Sequence, residues 1–224
     1  MRGREPVLHK SSWQRLERTQ KYVPSSDCFG PAPPHKLFNR PQSGTCQWGR
    51  KLHKVRAITE ADIPGFWETL GAVARESSFL RSAEAPPFAA VQDFVLGNIE
   101  AGNPQFVALA DGQVVGWCDI VRSTATHERH CGELGMGVRS DWRGRGLGRS
   151  LLEATLAEAD ARGVLRVELS VHSDNPRAIA LYIRNGFIEE GRKLRARIKG
   201  NAVLDVLLMA RLQPDEHWPL IGGA

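Results

Sequence analysis

The spacing of apolar residues divides the chain into short alternating runs, which are typical of strands, and segments with a period near 3.6, which are typical of helices. The first such region contains a capping-box-like pair, Thr59 and Asp62, at which a helix can begin. The double proline Pro86-Pro87 separates this helix from the next one. In order, the pattern predicts a strand at 54–58, a helix over 61–75, a helix ending at Gly102, and a hairpin with strands at 106–110 and 114–121.

The second half of the chain repeats this alternation more sharply. Asn175 can cap a helix that starts at Pro176, and Asn185-Gly186 can end it. The pattern predicts a strand at 132–138, a helix over 146–162, a strand at 165–171, a helix from Pro176 to Asn185, and a final hairpin of strands 191–198 and 203–212. We therefore expect an α/β fold of the α+β type, with a mixed, mostly antiparallel sheet of six to seven strands and helices on both faces.

The composition of the chain changes near residue 50. Residues 1–50 are rich in Pro, Ser, Gly and basic residues and lack sustained periodicity. They carry 9 basic and 3 acidic residues, a net charge of +6, whereas residues 51–224 carry 21 and 22, a net charge of −1. The absence of a basic excess beyond residue 50 argues against nucleic acid as a partner. We predict a disordered extension at 1–50, one domain at 51–213 and a tail at 214–224.

Composition also limits the class of protein. Hydrophobic residues make up 42% and charged residues 25% of the chain, as in ordinary globular proteins. No run of 18 apolar residues occurs, and the first ten residues lack the apolar core of a secretory signal, so we expect a cytoplasmic protein with no membrane partner. One set of residues could supply zinc ligands, but its spacing is unlike that of structural zinc sites, and we expect no metal: Cys28, His35, Cys46 and His53.

The most informative segment lies between a predicted strand and a predicted helix and has the sequence VRSDWRGRGLGR. Its glycines let the backbone approach a ligand, and the first N–H groups of the helix point outward with the positive end of the helix dipole. Its arginines can add charge-assisted hydrogen bonds to phosphate oxygens. The segment therefore predicts a pyrophosphate site, with a glycine-rich turn that binds nothing as the alternative. The six residues are Arg143, Gly144, Arg145, Gly146, Gly148 and Arg149.

Two other phosphate-binding patterns fail on spacing. The phosphate loop of nucleoside triphosphatases needs GxxxxGK followed by Ser or Thr, which the sequence lacks. The dinucleotide pattern GxGxxG also fails, because the third glycine, Gly148, comes one position early and the segment does not follow a first strand.

The segment resembles the signature of the GCN5-related N-acetyltransferases, the GNAT family, which is Arg or Gln, two residues, Gly, one residue, then Gly or Ala. Here these positions are Arg143, Gly146 and Gly148. The resemblance extends over about 55–212 and includes NPRAIALYIRNGF, which contains Asn175 and Tyr182 at the family spacing. It implies an acyltransferase that uses acetyl-CoA as cosubstrate, bound between two central strands that splay apart, here those predicted at 132–138 and 165–171.

The resemblance also implies roles for single residues. The Met136 N–H would donate to the thioester carbonyl oxygen, and Tyr182 would be the general acid that protonates the departing thiolate. An aromatic side chain in the core is the alternative role for Tyr182. The residues expected to bind the cosubstrate are Met136, Gly137, Val138, Arg143, Gly144, Arg145, Gly146, Leu147, Gly148, Arg149, Asn175 and Tyr182.

The general base remains open at this point. Ribosomal-protein N-terminal acetyltransferases have a glutamate five residues before the motif asparagine, where this chain has Ser170. Glu133 and Glu168 are the candidates, acting through water, although each can equally be a surface or salt-bridged carboxylate. His130 and His172 can also accept a proton, but histidines in such positions are more often structural or exposed.

The C-terminal segments GFIEEGRK, KGN and MAR, together with Asp205, resemble bacterial GNAT enzymes that acetylate free amino acids or related small amines, although they can also simply encode the last hairpin. This resemblance implies acetyl transfer to a primary amine by direct attack in a ternary complex. The alternatives are a protein N-terminal or lysine acetyltransferase, a noncatalytic acetyl-CoA sensor, and an acyltransferase that uses the basic extension as a nucleic-acid arm. The family also implies a homodimer, for which the sequence shows no interface pattern.

Overall fold

A computed structural model describes residues 53–76 and 84–218 of the chain. Between its regular elements lie short 3-10 turns at Glu60–Asp62, Thr126–Glu128, Ser140–Trp142 and Asp215–His217. The regular elements are β1 (His53–Ala57), α1 (Ile63–Glu76), α2 (Phe88–Glu100), β2 (Gln105–Ala110), β3 (Gln113–Arg122), β4 (Cys131–Val138), α3 (Leu147–Ala161), β5 (Arg166–His172), α4 (Pro176–Arg184), β6 (Ile188–Lys199) and β7 (Ala202–Leu212).

The strands form one seven-stranded sheet in the order β1-β2-β3-β4-β5-β7-β6. Every neighbouring pair is antiparallel except β4 and β5, which run parallel at the centre. A parallel pair needs a crossover connection, and α3 supplies it. This confirms the predicted mixed, mostly antiparallel sheet.

Helices cover both faces of the sheet. Side chains of successive strand residues point to opposite faces, so neighbouring residues of one strand show what packs on each face. Ala108 belongs to one buried cluster, together with Leu151 and Leu152 of α3 and Tyr182 of α4. Its neighbour Val107 belongs to the other cluster, which contains residues of α1 and α2. The predicted arrangement of helices on both faces is confirmed.

The first turn of the domain is held by the pair that the sequence suggested. The Asp62 carboxylate accepts hydrogen bonds from the Thr59 N–H at 2.8 Å and from the Thr59 hydroxyl at 2.7 Å. Arg56 adds two more hydrogen bonds at 2.6 and 2.8 Å, which connect β1 to this turn. Because residues 60–62 form a 3-10 turn, α1 begins at Ile63 and not at residue 61 as predicted.

The last hairpin departs further from its predicted bounds. β6 begins at Ile188, three residues before the predicted start, and continues to Lys199. Most side chains of β6 are exposed on both faces of the strand. Neither face therefore requires apolar residues, and the sequence lacks the polar–apolar alternation by which a half-buried strand is predicted. Pairing with β7 from Ile188–Ala210 onward extends the strand instead.

Some predictions fall on residues outside 53–76 and 84–218. The extension at 1–50 is one of them, as are Cys28, His35 and Cys46 of the zinc-compatible set. None of the helices in the described ranges has both the length and the apolar composition that a membrane crossing requires.

Candidate active site

The two central strands separate halfway along their length. β4 and β5 pair only through Cys131–Arg166, Gly132–Val167 and Glu133–Glu168. Beyond this point β4 stays paired with β3 as far as Val138, and β5 stays paired with β7 as far as His172. A gap therefore opens between the strands in the middle of the sheet, as the resemblance implied.

Backbone polar groups of β4 point into this gap. The Arg139 N–H donates to the Val115 carbonyl of β3 at 3.0 Å, so the odd-numbered residues of β4 direct their backbone groups toward β3. Met136 and Val138 then direct their N–H and C=O groups toward the opposite side, where β5 has diverged. The Val138 carbonyl accepts from Arg143 Nε at 2.8 Å. The N–H of Met136, the expected donor to a thioester, thus lies at the open edge.

The glycine-rich loop after β4 exposes its backbone. Gly144 and Gly146 have φ of +77° and +86°, and a Cβ atom at either position would have no neighbour within 4 Å. Gly146 is the N-cap of α3, whose first turn contains no acidic residue. The free N–H groups of that turn and the open glycine backbone fit an anion such as a pyrophosphate.

The three arginines of this loop differ in their contacts. Arg143 donates through Nη2 to Glu76 Oε2 at 2.8 Å, in addition to its contact with the Val138 carbonyl, so its guanidinium is held by the protein. Arg149 pairs with Glu153 at 2.7 Å and is 74% exposed. The Arg145 guanidinium lies 4.6 Å from the centre of the Trp142 ring. Arg145 and Arg149 are therefore better placed than Arg143 to turn toward an anion.

Tyr182 belongs to the buried cluster on the α3 face of the sheet, which also contains Cys118 of β3 and Leu134 of β4. Its ring packs against Phe187 with centroids 5.7 Å apart, and the side chain is 7% exposed. Burial, with a smaller contribution from the nearby Cys118 thiol, raises the pKa of the Tyr182 hydroxyl. Cys118 is the cross-strand neighbour of Met136, so the structure brings Tyr182 and Met136 to the same region. The hydroxyl makes no hydrogen bond within the described residues, so it is able to donate to a ligand.

Asn175 has a structural contact of its own. Its Oδ1 accepts from the Ala178 N–H at 3.2 Å and so caps α4, as the sequence predicted. α4 ends at Arg184, and Gly186 with φ +86° allows the Phe187 N–H to reach the Tyr182 carbonyl at 3.1 Å. These two ends fix the orientation of the helix that carries Tyr182.

The two candidate bases lie side by side where the strands separate, since Glu133 and Glu168 form the last pair of the β4–β5 ladder. Glu168 accepts from Arg166 Nε at 2.6 Å, and Arg166 also binds Glu190. Glu168 is thus part of an ion-pair network at the surface. Glu133 is exposed on the same face of the sheet.

The histidines have packing or hydrogen-bonding partners of their own. His172 is 8% exposed, and its Nε2 accepts from Arg197 Nε at 3.0 Å. The His130 ring packs against Trp218 with centroids 5.5 Å apart. Ser170 is exposed on β5 between Glu168 and His172. No three His, Cys, Asp or Glu residues within the described ranges are grouped closely enough to hold a metal ion.

Sequence reasoning missed one carboxylate, Asp119 of β3. It is 6% exposed, and burial together with the charge of Glu133 raises its pKa to about 7. Its register partner on β4 is Gly135, the residue before Met136. The signal was present in the sequence, because Asp119 is the one charged residue in the otherwise apolar run VVGWCDIV.

Comparison with known proteins agrees with this geometry. Residues 69–187 match the acetyltransferase (GNAT) family. The L-amino acid N-acetyltransferase AaaT of Escherichia coli (strain K12) is 33% identical over 113 residues, which cover 50% of this chain and 70% of that protein. The L-methionine sulfoximine/L-methionine sulfone acetyltransferase of Pseudomonas paraeruginosa (strain DSM 24068 / PA7) is 27% identical over 175 residues, which cover 74% of this chain and 98% of that protein.

A solved structure shows the same fold. The GNAT superfamily phosphinothricin acetyltransferase from Sinorhizobium meliloti, in complex with AcCoA, superposes with a TM-score of 0.67 at 23% identity and covers 71% of this chain and 88% of its own. The chain therefore belongs to the GNAT family of acetyltransferases.

Proposed function

We propose that the protein transfers the acetyl group of acetyl-CoA to the primary amine of a free amino acid or a related small amine, by direct attack within a ternary complex. The observation that carries the proposal is the gap that opens beyond the Glu133–Glu168 pair. In this proposal the thioester lies at the unpaired β4 edge, with Tyr182 on the α3 face of the sheet and the carboxylates Glu133 and Glu168 on the opposite face. Two relatives whose names specify amino-acid acceptors or their analogues support the choice of acceptor.

In this proposal β4 and the loop after it hold the donor. Met136 N–H donates to the thioester carbonyl oxygen, which favours the transition state because negative charge develops on that oxygen. Val138 continues the open strand edge along the pantetheine arm, and Gly137, whose backbone groups face β3, lies between Met136 and Val138. The pyrophosphate is bound by the loop and first turn of α3, comprising Arg143, Gly144, Arg145, Gly146, Leu147, Gly148 and Arg149. Asn175 keeps its amide group available to the CoA arm while its Oδ1 caps α4.

Tyr182 is the proposed general acid. The departing thiolate needs a proton, and a phenol whose pKa is raised by burial stays protonated across the physiological range. The Tyr182 hydroxyl has no competing hydrogen bond within the described residues, so it is free to donate to the sulfur.

A carboxylate on the opposite face of the sheet removes the proton from the acceptor ammonium. Of the two predicted candidates, Glu168 is tied to Arg166 by a hydrogen bond of 2.6 Å. Glu133 stands at the start of the gap, three residues before Met136 on the same strand. Glu133 is therefore the better placed of the two to connect the acceptor amine with solvent.

The proposal is tested by measuring acetyl-CoA-dependent thiol release against free amino acids, polyamines, aminoglycosides and short peptides with free N-termini or lysines. We expect turnover on free amino acids, with product mass confirming acetylation of the amine. Turnover on peptides alone would replace the proposal with protein acetylation. Release no faster than hydrolysis with every acceptor, despite acetyl-CoA binding, would favour an acetyl-CoA sensor.

A further inference from the structure

Three amide side chains, two of them buried, form a row from the turn after α2 to the start of β2. Asn103 Nδ2 donates to Asn98 Oδ1 at 3.1 Å, and Asn98 Nδ2 donates to Gln105 Oε1 at 3.1 Å. Asn98 and Gln105 are each 4% exposed. We call Asn103, Asn98 and Gln105 the amide row. Buried amides of this kind are costly to place in a core unless they are hydrogen-bonded, so their arrangement calls for an explanation.

The direction of the hydrogen bonds in the amide row is fixed at its outer end. The Arg122 backbone N–H, which can only donate, contacts Asn103 Oδ1 at 3.3 Å. The amide nitrogen of each residue must therefore donate to the oxygen of the next. Gln105 Nε2 is the last donor, and it is buried without a hydrogen-bond partner.

The amide row ends beside Asp119. Gln105 of β2 and Asp119 of β3 are register partners, so their side chains leave the same face of the sheet as close neighbours. The Asp119 carboxylate is 6% exposed and makes no hydrogen bond or ion pair within residues 53–76 and 84–218. Gln105, whose Nε2 has no partner, and Asp119 are therefore neighbours on this face of the sheet.

The Asp119 carboxylate lies over Gly135 of β4, which has no side chain. A Cβ atom on Gly135 would be 3.2 Å from Asp119 Oδ1 and 3.4 Å from Oδ2, so the absence of a side chain at Gly135 makes room for it. Gly135 directly precedes Met136, whose N–H faces the gap. Asp119 therefore lies next to the proposed thioester position, on the face of the sheet that also carries Glu133.

We propose that Asp119 is a catalytic base of this enzyme, whose carboxylate takes a proton from the ammonium of the acceptor, in the space that Gly135 leaves open beside Met136. The inference rests on the proposed acetyl transfer. An N–H bond of the ammonium breaks and an O–H bond forms on Asp119. The freed amine forms the C–N bond to the acetyl carbon, the C–S bond breaks with its electron pair going to sulfur, and the sulfur takes a proton from Tyr182. The second proton that the nitrogen loses as it becomes an amide returns through water to the Tyr182 oxygen. Glu133, which is exposed, passes the proton from Asp119 to solvent.

The charged surroundings of Asp119 support this role. The neighbour on β2 is the neutral Gln105 and the neighbour on β4 is Gly135, while Glu133 of β4 is the charged group that acts on the carboxylate. Burial, and secondarily Glu133, raise the pKa of Asp119 to about 7. A base with a pKa near the working pH combines a usable deprotonated fraction with a sufficient affinity for the proton.

The test is the pH dependence of kcat/KM for the wild type, Asp119→Asn and Glu133→Gln, using the best acceptor from the panel above. We expect Asp119→Asn to lower kcat/KM at pH 7 on the order of 10²-fold, with the Kd for acetyl-CoA unchanged. Glu133→Gln removes a like charge, so the acid limb should move to lower pH. The matched control Glu158→Gln, which removes a carboxylate on α3 that pairs with Arg162, should leave the profile in place.

Two results would overturn the inference while leaving the proposed function intact: Asp119→Asn active within threefold of the wild type, or an acid limb that does not move in Glu133→Gln. A wild type without turnover on any acceptor would instead contradict the proposed function. If Asp119 has only a structural role, Asp119→Asn should lower the free energy of unfolding, and Glu133→Gln should leave the acid limb of the kcat/KM profile where it is in the wild type.

The stability of Asp119→Asn supplies a measurement that needs no substrate. Because the folded-state pKa is raised from 3.8 to about 7, the unfolded chain loses this proton first, and wild-type stability should fall as the pH rises from about 4 to 7. Asp119→Asn lacks this loss, so we expect the variant to have the higher midpoint of denaturant unfolding at pH 8. A lower midpoint at pH 8 would count against an unpartnered carboxylate.

Discussion

The ring and the hydroxyl of Tyr182 have separable roles, because the ring packs in the core while the hydroxyl has no hydrogen bond there. We predict that Tyr182→Phe keeps the melting temperature and the Kd for acetyl-CoA of the wild type. Its kcat should fall on the order of 10²-fold, the usual loss when a general acid is removed. Steady-state kinetics and titration calorimetry on the two proteins measure these quantities.

The pH profile gives a second check on Tyr182. Its pKa lies above the usual value for tyrosine, so the hydroxyl stays protonated through pH 9 and should not produce an alkaline limb in kcat below pH 10. A kcat within threefold of the wild type in Tyr182→Phe would remove the residue from the mechanism.

Residues of the site differ in how far the sequence alone could identify them. Tyr182 was found because it stands in a local motif, NPRAIALYIRNGF, that fixes its helix and both helix ends. Asp119 was missed because its environment comes from other strands: Gln105 on one side, Gly135 on the other, and Glu133 two residues before Gly135 on β4. The sequence alone assigns Asp119 to a strand, but it does not show that the carboxylate lacks a hydrogen-bond partner.

The same distinction holds for whole elements. Caps and stops such as Asn175 and Gly186 depend on a few adjacent residues and were predicted correctly. The point where β4 and β5 separate depends on pairing between strands and could be inferred only from the family resemblance. The contact of Glu76 with Ser140 and Arg143, which ties the end of α1 to the glycine loop, joins residues more than 60 positions apart and has no local signal.

The turn at Glu60–Asp62 offers an electrostatic prediction for the start of the domain. Hydrogen bonds from Arg56, and then from Thr59, lower the pKa of Asp62 to about 2 against the opposing effect of burial. We predict that Asp62→Asn lowers the free energy of unfolding at pH 7 by about 1–2 kcal/mol, a value reduced for solvent screening at the partly exposed Arg56. Urea unfolding of both proteins measures the difference.

The pH dependence of this difference follows from the sign of the shift. A lowered folded-state pKa contributes stability that is present above the unfolded value of 3.8 and is lost as the pH falls toward 2. The difference in the free energy of unfolding between the wild type and Asp62→Asn should therefore shrink as the pH falls from 3.8 toward 2. Glu60→Gln, an exposed carboxylate in the same turn, is the control and should change stability by less than about 0.5 kcal/mol. Equal effects of the two substitutions would contradict a specific contribution from the hydrogen bonds of Arg56 and Thr59 to Asp62.

At the scale of the molecule, charge and chemistry are divided between different parts of the chain. The residues proposed to bind the donor and to move protons all lie between Gln105 and Tyr182, within the sheet and its helices. The net charge of +6 belongs to residues 1–50, whereas residues 51–224 carry a net charge of −1. Any affinity for polyanions should therefore be separable from acetyl transfer.

Deletion of residues 1–50 tests this separation. We predict that the full chain is retained on a heparin column in a salt-dependent manner and that the truncated chain is not, because the remaining charge is close to neutral. Turnover on the best small amine should agree within twofold between the two proteins, since no proposed site residue is removed. A large fall in turnover on small amines would mean that the extension takes part in the active site, whereas a fall confined to peptide or polyanion-bound acceptors would identify it as an arm that recruits the substrate.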